Sequence, residues 1–250
     1  SFAFRWKRSE PAPRRPTVTV VSRPRASTRS AGQAYSGSVS PSDSPVPLSA
    51  RLRVQVSLPA RPVVHQVWHF HRDATQVALL KGAIDEVWHR DPRGQVGFER
   101  VFHDDRRAVD YSAGELATLG VSTDWAALSS LVDPQLLRSL RVVSRRGTGP
   151  AERLVFAGRV AGEQYWIEWR PSLQLPQRMI RTERGGRRTE LVLERQVTLA
   201  PVGWPVPGAR SGDYLRLDAA DFGDMEYEAV VRKSEALDIR LGWRVAHQHD

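Results

Sequence analysis

Hydrophobic and polar residues alternate along most of the chain between Ser49 and Leu199. This period of two is typical of β-strands that bury one face. In "RLRVQVSL", for example, one face carries Leu52, Val54, Val56 and Leu58. Similar runs recur between short turn signals, so the sequence predicts a mainly β protein with an antiparallel sheet of about ten or eleven strands.

Two turns between these runs have clear signatures. "RDPRGQ" places Pro92 where a turn needs a fixed φ and Gly94 where it needs a positive φ. "ERGGRR" contains Gly185 and Gly186 between two alternating runs, which predicts a tight hairpin.

One segment, "STDWAALSSLVDPQLLRSL", has helical rather than alternating periodicity. Ser122 or Thr123 is the predicted N-cap, and Asp133-Pro134 ends this helix and starts a second helical turn. The apolar stripe of the first helix comprises Trp125, Leu128 and Leu131. We expect one or two short helices here to close one side of the curved sheet.

The two ends of the chain differ from this central domain, which we place at residues 49–205. Residues 1–48 are rich in Pro, Ser and Arg and predict an extended, basic tail. Residues 206–250 predict a partly helical C-terminal extension, in which Gly223 favours a kink or a later helix start.

Charge is concentrated in the first segment. The chain has a net charge of +9, and residues 1–30 contain eight Lys or Arg against Glu10 alone, so the folded part is nearly neutral. A nucleic-acid partner is therefore not expected, because such a protein shows a basic face within its folded domain. An anionic membrane surface or a partner protein is expected to contact the basic residues Arg5, Lys7, Arg8, Arg14 and Arg15. A solvated spacer after an anchor or signal segment is the alternative.

Three segments repeat a valine, an aromatic residue and a histidine: "QVWHFHRD", "DEVWHRD" and "ERVFHDD". On a strand, each aromatic residue lies on the face opposite its histidine. If the aromatic face is internal, it forms an apolar wall, and the histidines lie on the outer face or rim. The candidate wall, with its covering helix, comprises Trp68, Phe70, Trp88, Phe98, Phe102, Trp125 and Leu128. The opposite orientation would gather His65, His69 and His71 at a metal site; we favour the wall and expect neither metal nor cofactor.

Catalytic motifs are absent from the sequence: it has no G-x-S-x-G, no phosphate-binding loop, no G-x-G-x-x-G and no H-E-x-x-H. Cysteine is absent, which excludes disulfides and thiolate sites. "HDDRR" after Phe102 is interpreted as a hydrophilic turn, and no other residue set defines an enzyme. A non-enzymatic protein is expected.

The segment from Trp166 to Gly186 resembles the LolA/LolB-like periplasmic lipoprotein carriers, and among them the RseB/MucB-type regulators. The resemblance rests on "WIEW", on "LPQRM" after a short turn, and on the Gly-Gly hairpin, and it extends over about Leu52 to Leu199. It implies a curved antiparallel half-barrel with an apolar concave face, in a periplasmic protein.

Two functions follow as hypotheses. In the first, the concave face binds a lipid or a lipidated protein, since each buried methylene contributes about 0.8 kcal/mol. In the second, the half-barrel is a filled platform of a cell-envelope complex and both ends bind partners. A histidine-based metal-binding protein is a third.

Overall fold

The computed structural model describes residues 46–225 and 228–244. It contains one open sheet of twelve strands in the order β12-β6-β5-β4-β3-β2-β1-β11-β10-β9-β8-β7. The strands are β1 Leu48–Ser57, β2 Val64–Arg72, β3 Gln76–Leu80, β4 Ile84–Arg90, β5 Val96–Phe102, β6 Arg107–Tyr111, β7 Arg141–Arg146, β8 Arg153–Val160, β9 Glu163–Arg170, β10 Leu175–Thr182, β11 Arg188–Val197 and β12 Leu215–Asp218. The predicted mainly β half-barrel is confirmed, with one or two strands more than expected.

The sheet consists of two runs of neighbouring strands joined at its centre. Strands β1–β6 form one run and β7–β11 the other, and each is paired with its sequence neighbours. The runs meet where β1 pairs with β11, so that Leu52 lies opposite Leu193 and Val54 opposite Leu191. All pairings are antiparallel except that of β12 with β6.

Alternation in the sequence becomes alternation of burial in the sheet. Ala50, Leu52 and Val54 are at most 1% exposed, whereas Arg51 and Arg53 between them face solvent. Burying an aliphatic side chain of this size contributes about 1.5–3 kcal/mol. The main core therefore lies along the concave face.

The predicted turns form as the sequence indicates. Gly94 has a φ of 83° between β4 and β5, and Gly186 has a φ of 78° between β10 and β11. Both values lie in the region that only glycine adopts without strain.

Short helices join the two runs of strands and pack against the core. They are α1 Ala113–Thr118, α2 Trp125–Ser130 and α3 Pro134–Ser139. The N-cap of α2 is Asp124, not Ser122 or Thr123, because the Asp124 side chain accepts from the Ala126 N–H. Helix α1 was not predicted, although Ser112 and Glu115 form a capping box at its start.

The buried Arg72 fixes these connections to the sheet. Its Nη1 donates to the Ser129 carbonyl at 2.6 Å, its Nη2 to the Leu173 carbonyl at 2.6 Å and its Nε to the Val46 carbonyl at 3.2 Å. Burial lowers the pKa of Arg72 to about 10. One side chain thus joins the end of α2, the turn before β10 and the entry to β1.

The C-terminal residues complete the same core. A short 3₁₀ segment, Ala219–Asp224, follows β12, and helix α4 runs from Ala229 to Leu241, so that of the two alternatives at Gly223 the later helix start is the one observed. Val230, Val231 and Leu241 of α4 belong to the main core. No helix in the described ranges combines the length and the hydrophobicity needed to cross a membrane.

Candidate functional site

The concave face of the sheet carries the candidate wall. Its seven residues are all between 0% and 8% exposed and belong to one core: Trp68, Phe70, Trp88, Phe98, Phe102, Trp125 and Leu128. Cross-strand register places the five strand residues on one face, with Trp68 opposite Leu52 and Trp88 opposite Phe98, and Trp125 and Leu128 belong to helix α2. The ring centroids of Trp88 and Phe98 are 4.4 Å apart, a favourable tilted contact.

The C-terminal segment fills the concavity in front of this wall. Trp243 packs edge-on against Phe98 at 5.3 Å, Trp88 at 6.1 Å and Tyr111 at 6.2 Å, measured between ring centroids. Trp243 itself is only 6% exposed. The wall is therefore covered by its own chain, and the role of its residues in binding a ligand stays a prediction.

A buried polar network holds α4 against the wall. The Arg100 Nη1 donates to Asp238 Oδ1 at 2.9 Å and to the Ser234 hydroxyl at 2.8 Å, and the Tyr111 hydroxyl donates to Asp238 Oδ2 at 3.0 Å. Arg100, Ser234 and Asp238 are all 0% exposed. Burial acts to lower the pKa of Arg100, but the Asp238 carboxylate outweighs it, so the pKa is raised and the guanidinium stays charged.

Aromatic rings surround this charge. The Arg100 guanidinium carbon lies 5.1 Å from the ring centroid of Phe98 and 5.3 Å from that of Trp243. Such cation–π contacts contribute more when water is excluded. Burial also raises the pKa of Tyr111, so the hydroxyl keeps its proton and can donate.

The network was not predicted, although the sequence contains two signals for it. Arg100 lies between Phe98 and Phe102 on the inward face of β5, where an unpaired charge would be costly. In α4, Val231, Ser234, Asp238 and Leu241 recur at a spacing of three or four residues and mark one buried face.

The histidines do not converge. His65 and His89 are exposed, whereas His71 is buried. The Nδ1 atom of His71 lies 2.8 Å from the Ser49 hydroxyl oxygen. His69 makes an edge-on ring contact with Trp204, with centroids 5.2 Å apart. Across residues 46–225 and 228–244, no group of three or more His, Asp or Glu side chains is arranged to hold a metal ion.

His103 pairs with Asp85 rather than with its sequence neighbours Asp104 and Asp105. Its Nε2 lies 2.7 Å from Asp85 Oδ2, and its Nδ1 lies 3.2 Å from the Tyr214 hydroxyl. Because a carboxylate only accepts, Nε2 carries a proton and donates to Asp85, while Nδ1 and the Tyr214 hydroxyl form the second hydrogen bond. Both ring nitrogens are thus occupied, which leaves no free base at this position.

His71 and His103 lie on the outer face, opposite the aromatic residues, but they are buried there. Both are 8% exposed. The segment from Trp204 to Tyr214 crosses the outer face of β2–β5 and contacts His69 through Trp204 and His103 through Tyr214. The apolar Val87 and Val101 on this face indicate a cover, but the local alternation does not identify the covering segment, which lies more than 100 residues later.

The basic residues expected to contact a membrane or a partner lie outside the described residues. They are Arg5, Lys7, Arg8, Arg14 and Arg15. Their role stays a prediction.

No family model matches the sequence, and no curated protein matches it. Among solved structures, PNGF-II is similar over 72% of this chain and 33% of its own, with 9% identity and a TM-score of 0.40. MucB in its complex with MucA from Pseudomonas aeruginosa matches over 63% of this chain and 53% of its own, with 13% identity and a TM-score of 0.33. A lipoprotein-sorting protein domain from Vibrio parahaemolyticus matches over 64% of this chain and 87% of its own, with 8% identity and a TM-score of 0.29.

The solved structures thus include MucB and a lipoprotein-sorting protein, the two kinds of protein that the segment from Trp166 to Gly186 resembles. The chain spans about a third of PNGF-II and about half of MucB. At these TM-scores the likeness does not assign a function.

Proposed function

We propose that the protein is a non-enzymatic scaffold or accessory subunit of a cell-envelope complex in the periplasm, with the curved sheet as a rigid platform. The observation that carries this proposal is the covered concave face. Trp243 and α4 occupy the space that a bound acyl chain would need, and the Arg100–Asp238 pair holds α4 in place. The envelope and the periplasm are taken from the resemblance over Leu52 to Leu199.

The sheet offers surfaces for partners at its ends. Strand β7 is the last strand of the sheet order, and Val143 on it is 57% exposed. A terminal strand can accept an added strand from another protein through its backbone groups. Beyond β11, Leu199 is 84% exposed and gives a second apolar contact point.

Native mass spectrometry of the full chain, taken gently from its source envelope, tests the proposal. We expect an assembly with stoichiometric neighbours and no bound lipid, and cross-links from β7 or from residues 1–48 to those neighbours. A monomer that carries a removable lipid of a few hundred daltons would contradict it; a single acyl chain with its headgroup has this mass.

The second candidate is a carrier that binds a lipid or a lipidated protein on the wall after α4 moves away. The aromatic, contiguous wall favours this function, since it would offer a large apolar surface once uncovered. Residues Trp68, Phe70, Trp88, Phe98 and Phe102 would then contact the acyl chain.

One substitution separates the two candidates. In a carrier, Trp243→Ala weakens the cover and strengthens binding of a fluorescent fatty acid; in a scaffold, neither the wild type nor the variant binds it. Trp169→Ala is the matched control, because Trp169 is also a buried tryptophan, 7% exposed, but lies on β9. If Trp169→Ala changed binding as much as Trp243→Ala, general loosening of the core would explain the effect.

A further inference from the structure

A pocket lies on the outer face of the sheet, on the opposite side from the candidate wall. It has a volume of about 290 Å³ and is bounded by β2–β5 below and by residues 204–211 above. Its floor is apolar and buried: Leu80, Val87 and Val101 are each 3% exposed. The pocket is thus separate from the concave core.

The outer face is apolar here because the 204–214 segment covers it. Ala78, Leu80 and Val87 form a second, small core on this side of the sheet. The segment is attached through ring contact between Trp204 and His69, through the Tyr214 hydroxyl and His103, and through an ion pair between Arg106 and Asp213. These contacts fix the covering segment above the buried floor residues of the sheet. They leave the pocket between the segment and the floor unfilled.

Two polar side chains that line the pocket are free to bind a ligand. The ring nitrogens of His69 make no hydrogen bond to any residue in 46–225 or 228–244, and Arg210, which is exposed, pairs with no carboxylate there. Burial and the nearby Arg51 lower the pKa of His69, so its ring is neutral and has one N–H to donate.

The other charged group at the pocket is already satisfied. Asp85 Oδ1 accepts from the Lys81 backbone N–H at 2.9 Å, and Oδ2 accepts from His103 at 2.7 Å. A ligand therefore meets an apolar floor, one imidazole donor and one unpaired guanidinium, a combination that selects an anion with an apolar body.

We propose that this pocket binds a small, mainly apolar carboxylate with a single ring or a short acyl chain. A cavity of about 150 Å³ accommodates a benzene ring, and sites for larger ligands begin at about 300 Å³, so the volume sets this size. The apolar part lies on Leu80, Val87 and Val101 beside Trp204. The carboxylate accepts from Arg210 and from His69. This site does not depend on the concave face or on the scaffold function.

Fluorine NMR of the full chain tests the site with two probes, 4-fluorophenylacetate and 6-fluorohexanoate. We expect at least one to bind with a Kd of about 1 mM or tighter, as about ten non-hydrogen atoms allow. The matching alcohols, which lack the charge, should bind at least tenfold more weakly. Arg210→Ala should remove this difference, whereas Arg93→Ala, which removes another exposed arginine away from the pocket, should preserve it.

A second pair of variants tests the location. Val67 is 42% exposed at the mouth of the pocket, so Val67→Trp should block entry without disturbing the core and abolish binding. Val64→Trp is the control, since Val64 is 51% exposed on the same strand and does not line the pocket. Binding unchanged by Val67→Trp, or lost equally in both variants, would overturn the location. Equal affinity for acids and alcohols would overturn the carboxylate, and no binding of either probe would overturn the site.

Discussion

Arg100 and Asp238 form an ion pair that is completely buried between β5 and α4, with Nη1 and Oδ1 2.9 Å apart. The two residues are 138 positions apart in the sequence, and the Ser234 and Tyr111 hydroxyls and Arg244 are their polar neighbours. The Nε and Nη2 atoms of Arg100 have no hydrogen-bond partner among the described residues. The pair therefore specifies one position of α4 on the sheet rather than adding much net stability.

Replacing one partner of this pair should be severely destabilising. Asp238→Asn keeps the shape but leaves the Arg100 charge buried without a counter-charge, so we expect a loss of about 3–5 kcal/mol in the free energy of unfolding, measured in urea. Lys233→Gln is the control on the same helix: its partially exposed pair with Asp105 should contribute less than about 1 kcal/mol.

The double variant Arg100→Met/Asp238→Leu should recover most of that loss, because no charge is then left in the core. A double variant as unstable as Asp238→Asn would show that the pair contributes stability of its own.

Arg72 should be irreplaceable by lysine. A lysine ammonium lacks the planar fork that reaches Val46, Ser129 and Leu173 together, so carbonyl groups lose their donors. We expect Arg72→Lys to reduce the free energy of unfolding by about 2–4 kcal/mol. Arg93→Lys, at an exposed turn, should leave the free energy of unfolding unchanged. If Arg72→Lys also left it unchanged, the proposed role of the three guanidinium hydrogen bonds would be disproved.

Acid should weaken the fold through His71 before the carboxylates titrate. Burial lowers the pKa of His71 below the unfolded value of 6.5, so the unfolded chain takes up the proton first. The contribution of His71 to the free energy of unfolding is therefore constant above pH 6.5. It is lost as the pH falls through the lower pKa of His71 in the folded protein. Urea midpoints between pH 7 and pH 5 should fall less steeply for His71→Gln than for the wild type. His65→Gln, at an exposed position, should leave the slope unchanged.

The basic N-terminal residues should bind anionic vesicles. Each basic residue near such a surface contributes about 1 kcal/mol, so changing Arg5, Lys7, Arg8, Arg14 and Arg15 to Gln should lower the partition coefficient more than a hundredfold at low salt. Sedimentation with phosphatidylserine vesicles measures it. The matched control changes five exposed arginines of the folded domain: Arg93, Arg138, Arg141, Arg146 and Arg159. An equal effect of both sets would assign binding to net charge alone.

Much of the sheet could be predicted from the local pattern of hydrophobic and polar residues. Alternation in β1, the aromatic residues on the inward face of β2, β4 and β5, and the glycines at the two predicted hairpins agree with the structure, because each depends only on neighbouring residues. The inward direction of Trp68 and Phe98 followed from the same alternation.

Contacts between distant segments were not predictable in this way. Strand β12 has only four residues and is defined by its pairing with β6, and α4 is placed by Arg100. The outer pocket also depends on a distant segment, although Val87 and Val101, apolar on the face opposite Trp88 and Phe102, indicate strands that are covered on both sides.

The parallel pairing of β12 with β6 has a consequence for how the chain is made. Arg216 of β12 and Asp110 beside it on β6 are 106 residues apart in the sequence. During synthesis β6 is completed long before its partner, so its edge, with Ala108 and Val109, stays open until Leu215–Asp218 emerges. Pairings of such separation form late, and the open edge invites pairing with other chains in the meantime. Another chain can add a strand at β6 until Leu217 lies opposite Val109.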